Sequence, residues 1–273
     1  MEKNTSVKKE NKLVKWIMIG VCVLFLFVML VLPLSYILYT SLHAGFGKFV
    51  AAITDPYTLK AMKLTILATV WALLVNTIFG LCAAWCLTRF EFKGKKVVTA
   101  LIDLPLTISP VIAGLIFLLT YGRQSILYPL FERFGISIIF AVPGVILATV
   151  FVTFPYISRE IIPVLNSIGT QEEEAAALMG MNGFTIFCKI TFPHIRWAFL
   201  FGVVLCSARA MGEFGAVSVI SGHLRGLTNT LPLHVEMLYQ GYDFTGAFAV
   251  SALLMLMAIV ILILRNILEK KDA

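Results

Sequence analysis

The chain has 273 residues, of which 59% are hydrophobic and 14% charged, whereas a soluble domain carries about 25% charged residues. That deficit argues against a soluble enzyme and for a membrane protein. The net charge of +7 does not signal nucleic acid, because the Lys and Arg residues flank apolar runs, where lipid headgroups and topology account for them.

Residues 1–15 hold five lysines and no apolar period, which predicts a disordered basic cytoplasmic tail. Residues 16–42 then run for 27 positions without a charge, enough to cross a bilayer core that needs about 20. A signal peptide would have a shorter apolar region and a small-residue cleavage site, so an uncleaved first helix is expected. Apolar stretches follow at residues 64–88, 104–122, 134–158, 197–222 and 244–264. Backbone polar groups in lipid must pair within their own segment, so these stretches read as helices. None shows the ten-residue alternation of a membrane barrel. The expected fold class is an all-α integral membrane protein with six transmembrane helices. Pro33, Pro105, Pro110, Gly114, Pro143, Gly144 and Pro155 interrupt the spans. They fit either ordinary membrane-helix tolerance of such residues or a transporter that changes shape.

With the N-terminus inside, the inner segments hold fifteen Lys and Arg residues and the outer segments six, with Arg209 inside a span. That excess predicts that both termini are cytoplasmic. It also puts residues 170–193, the longest polar-rich segment between two apolar blocks, on the cytoplasmic side. This segment opens with Thr170 and Glu173 at capping-box spacing. Glu172, Glu173 and Glu174 fall in the first turn, where the helix dipole favours negative charge. Ala175, Ala176 and Ala177 favour helix, and Gly180 predicts its end. A short exposed helix tipped by Leu178, Met179 and Met181 is expected.

Glu174-Ala175-Ala176, three residues, Gly180, nine residues, Ile190, one residue, Phe192-Pro193 resembles the EAA loop of type I ABC importer permeases. The one departure is Phe192 in place of Leu. The resemblance implies a coupling helix that sits in a groove on a separate ATPase subunit, with Glu173, Glu174, Ala175, Ala176, Leu178, Gly180 and Met181 as its coupling residues. It also implies a permease domain over residues 60–265.

Chemistry elsewhere is sparse. The sequence has no P-loop pattern G-x-x-x-x-G-K-[ST], so nucleotide phosphates cannot be cradled by that route. His43, His194, His223 and His234 form no i,i+4 pair with a nearby acid, against a helical zinc site. Ser221-Gly222-His223 lacks the G-x-S-x-G frame of a nucleophile elbow, since position 219 is Val. The five cysteines show no two-residue pair spacing and read as packing residues.

Arg209 and Glu213 lie four apart within a span and therefore share one helix face. Charges at such depth face the bundle interior or a water-filled path. Two readings stay open: a structural ion pair, or one border of an anion path. The hydroxyls of Ser207, Ser218 and Ser221 in the same stretch, and of Ser109 in the stretch 104–122, suit a small oxyanion, which neutral O–H and N–H donors hold as readily as cations do.

Residues 208–242 and 104–122 resemble sulfate/thiosulfate importer permeases of the W type. This resemblance implies ATP-driven movement of sulfate and thiosulfate across a bacterial cytoplasmic membrane. The implied partners are a sister T-type permease, two ATPase subunits, an extracytoplasmic sulfate-binding protein and membrane lipid. ATP and Mg would belong to the ATPase, and this chain would bind no cofactor and catalyse no covalent step. The alternatives are a molybdate or tungstate permease of the same architecture and a secondary anion carrier. A carrier of that kind should show inverted repeats and several embedded carboxylates. No repeat is evident, and apart from Asp103 near a helix end, Glu213 is the one acid within a span.

Overall fold

The computed structural model describes residues 12–43 and 45–270, and among the described residues every regular element is helical. The long helices are α1 (Lys12–His43), α3 (Pro56–Arg89), α7 (Val142–Ile168), α9 (Gly183–Met211) and α12 (Phe244–Lys270). Shorter ones join them: α2 (Phe46–Thr54), α4 (Lys95–Thr107), α5 (Pro110–Tyr121), α6 (Tyr128–Arg133), α8 (Gln171–Leu178), α10 (Gly215–Ile220) and α11 (Leu231–Gln240). Among the described residues, five helices are long and apolar enough to cross a membrane, and α4 with α5 makes a sixth if the bent pair counts as one span.

The expected basic tail lies outside the described residues over positions 1–11, while Lys12 and Lys15 already belong to α1. The expected span 104–122 is not one rod. It is bent by 109° between α4 and α5. Pro110 disfavours helical geometry at the residue before it, and Ser109 sits at φ −57°, ψ 132°, extended. Proline then serves as the first residue of α5. The expected span 134–158 starts later, at Val142, because Phe140 donates its N–H to the Ile220 carbonyl (3.0 Å) and holds the preceding segment as a loop.

Two long helices carry a π turn, at Phe27–Val31 and at Phe187–Thr191. Each stands just before a proline, Pro33 and Pro193. A proline ring clashes with the carbonyl four residues earlier, and a widened turn relieves that clash.

Small residues set the packing at the centre. Gly80 of α3 and Gly202 of α9 both face Ile157 of α7, where an added Cβ would come within 3.0 Å. Ala84, Ile157, Ile161, Leu165, Ile195 and Cys206 fill the space between these three helices. Asn76 of α3 donates to Thr153 Oγ1 (2.8 Å) and the Val150 carbonyl (3.2 Å) of α7, the polar glue expected between helices in lipid. A second cluster joins α3 and α7 to α10 and α11 through Ala68, Ala148, Ala216, Val217, Ile220 and Leu233. By contrast, α1 buries nothing along its apolar length except Ser41 near its end.

Candidate functional site

Among the described residues, polar side chains gather at two places that the sequence singles out. The first is the EAA end of the bundle, around α8. Gly180 ends this helix as expected. At φ 84° it lets Met181 N–H reach the Ala176 carbonyl (3.1 Å) while its own N–H takes that of Ala177 (3.0 Å), a Schellman closure. Ala176 is buried, whereas Leu178 is 91% exposed and Met179 76%. Phe184, just beyond, is 78% exposed. Ala175 and Glu174 face solvent, and Met181 is half-buried.

The expected capping box does not form. Thr170 makes no side-chain cap; its hydroxyl donates instead to Glu174 Oε1 at 2.6 Å. Glu173 does not reach back, because Arg89 at the end of α3 holds it through two bonds, Nε to Oε2 (2.8 Å) and Nη2 to Oε1 (2.9 Å). Thr191 adds a third at 2.8 Å. A charge-assisted fork outcompetes one backbone amide. Glu172 pairs with His194 at 2.8 Å. Glu173 is therefore turned into the protein, and the exposed tip is apolar.

The second place is the break after α9. The helix stops at Met211, so Arg209 and Glu213 do not share a continuous helix face as expected. They still meet: Arg209 Nη1 lies 2.5 Å from Glu213 Oε2, off the line of a proper hydrogen bond. Glu213 Oε1 accepts the Ala216 N–H at 2.8 Å, which places negative charge at the N-terminal end of α10. Glu213 is 2% exposed, while the Arg209 side chain keeps 29% of its surface open.

Ser109 lies beside this break. Its neighbour Pro110 stands against Gly215, and Gly114 one turn on stands against Ala216 of α10. Ser109 is exposed and caps nothing with its side chain. Arg209 and Glu213 thus meet at the break, and Ser109 lies one residue from the contact of Pro110 with Gly215. Ser218 sits along α10 with its hydroxyl on the Gly215 carbonyl (2.8 Å). Ser207 is buried and donates to the Val204 carbonyl (2.9 Å) of its own helix. Ser221 is fully buried, its hydroxyl accepting the His223 N–H (3.2 Å), so it braces a loop and faces no opening.

The family described as binding-protein-dependent transport system inner membrane component matches residues 76–271. The chain belongs to this family of membrane transport components. It is 43% identical over 258 residues to the "Sulfate transport system permease protein CysW" of Synechocystis sp., covering 94% of both chains. It is 44% identical to the protein of the same description from Escherichia coli K12, covering 93% of this chain and 88% of that one. Its fold resembles a chain of a bacterial ABC transporter that imports alginate, with a TM-score of 0.80 at 17% identity, covering 94% of this chain and 95% of that one. Arg89 and Phe184 carry no local sequence signal of a role at this site: Arg89 closes an apolar run, where a basic residue reads as topology, and Phe184 is a lone aromatic in a polar loop.

Proposed function

We propose that this chain is the permease subunit of an ATP-driven importer that carries sulfate, and thiosulfate, across the bacterial cytoplasmic membrane. The observation that carries the reading is the 44% identity, over nearly the whole chain, to a sulfate transport permease. The exposed tip of Leu178, Met179 and Phe184 supports it, because three large apolar side chains left bare at the end of α8 and the start of α9 are suited to a partner groove.

In this reading the tip docks on a separate ATPase, which holds the ATP and Mg. Two such ATPases, a sister permease of the T type and an extracytoplasmic sulfate-binding protein complete the assembly, with both termini of this chain in the cytoplasm. Closure of the ATPases moves α8, and the long helices rock to open the far end. The anion released there passes the break after α9. Arg209, held in place by Glu213, and the hydroxyl of Ser109 border that passage. Glu213 neutralises part of the Arg209 charge, so a dianion is steered without being trapped. Hydrolysis then returns the inward-open state.

Uptake of radiolabelled sulfate in a strain lacking this chain tests the reading. Loss of uptake, its return with the chain, and insensitivity to excess molybdate are expected. Unchanged sulfate uptake without the chain would refute it, and suppression by molybdate would move the substrate to the larger oxyanions.

A further inference from the structure

The coupling helix α8 is held mainly by its carboxylates. Of its eight residues only Ala176 is buried. Both of its covalent joints are glycine hinges, Gly169 at φ 74° before it and Gly180 at φ 84° after it. Residues without a Cβ turn freely, so chain connectivity alone passes little torque.

Against this loose attachment stands one shielded carboxylate. Glu173 takes both forks of Arg89 and the hydroxyl of Thr191. The same guanidinium donates through Nη1 to the Leu165 carbonyl at 3.2 Å. Three helices thus converge on α8: the end of α3 through Arg89, the end of α7 through Leu165, and α9 through Thr191. The Arg89 and Glu173 side chains are only 8% and 14% exposed. A planar two-bond pair fixes orientation as well as distance. Trp85 lies under the guanidinium at 5.8 Å and limits its swing.

We infer that Arg89 is the positioning residue that passes movement of the coupling helix to α3 and α7. Through it, three helices answer one stroke of the ATPase as a unit. Without it, α8 swivels about Gly169 and Gly180 and pulls on α9 alone. The inference rests on the coupling role proposed above.

The test uses the complete importer, with its ATPase and sulfate-binding protein, in liposomes, and reads sulfate taken up per ATP hydrolysed. Arg89→Gln should lower that ratio by about fivefold or more. The reversed pair, Arg89→Glu with Glu173→Arg, should recover only part of it, since a carboxylate at position 89 restores the link to α3 but cannot donate to the Leu165 carbonyl. Arg89→Lys should fall between, since it keeps the charge and loses the fork. An assembled Arg89→Gln complex with the wild-type ratio overturns the inference. Hydrogen exchange of amides 171–178 in the purified full chain is read without any transport. There Arg89→Gln should speed exchange by about tenfold; unchanged exchange also overturns the inference, including where the variant complex does not assemble. A wild-type complex that takes up no sulfate counts against the proposed function instead, and the exchange result still decides the clamp.

Discussion

Glu213 closes the gap between α9 and α10 by facing Arg209 with one carboxylate oxygen and capping Ala216 with the other. The acid is sealed inside, and the base keeps an open edge. The two are therefore unequal under mutation. Removing Arg209 strands a buried charge, which costs about 3–5 kcal/mol. Arg209→Met should lower the thermal stability of the detergent-purified chain sharply. Adding Glu213→Gln should restore at least half of the loss, since the amide oxygen can still accept from Ala216. A double variant no more stable than the single would mean that the pair does not set the break.

Gly114 meets the backbone of Ala216 so closely that a Cβ would lie 2.6 Å from its carbonyl oxygen. Backbone cannot step aside as a side chain can, so Gly114→Ala should destabilise by about 1–3 kcal/mol. Gly47 in α2 has nothing within 4 Å of the added carbon. Gly47→Ala should stabilise by about 0.4–1 kcal/mol through the unfolded chain. Melting of the two variants side by side checks the contrast.

The 91% exposure of Leu178 separates docking from folding. Leu178→Asp should leave stability within about 0.5 kcal/mol. Its affinity for the ATPase should fall about thirtyfold if the residue is an interface anchor. Co-purification of the ATPase with the variant, at equal permease yield, reads this directly. Full recovery of the ATPase would remove the apolar tip from the interface.

His234 of α11 is 1% exposed and shares a 3.1 Å hydrogen bond with Thr58 at the start of α3. Burial pushes its imidazole below the usual 6.5, the Arg225 charge pushes the same way, and Asp55 opposes them. The unfolded chain therefore gains a proton that the fold refuses as the pH drops below 6.5. Stability should be complete above that pH and decline below it, down to the depressed value of the folded protein. Melting temperatures taken at pH about 7.5 and about 5.5 should differ more for wild type than for His234→Gln.

The sequence alone determined what depends on neighbours along the chain. Apolar length set the long helices. Three acids, three alanines and Gly180 set α8 and its Schellman end, because capping and propensity act within a few residues. Pro110 already marked a place where a helix stops, although the 109° turn it permits was not legible. The tertiary structure alone decided the partners of the charges. Arg89 and Glu173 are 84 residues apart in sequence, and their pairing overrode the local capping box because a two-bond ion pair outweighs one backbone amide. The same holds for the break after α9. Gly212 weakens the helix just past Met211, but the close fit of Gly215 and Ala216 against Pro110 and Gly114 places the segment beyond it, since backbones approach that closely only where no side chain intervenes.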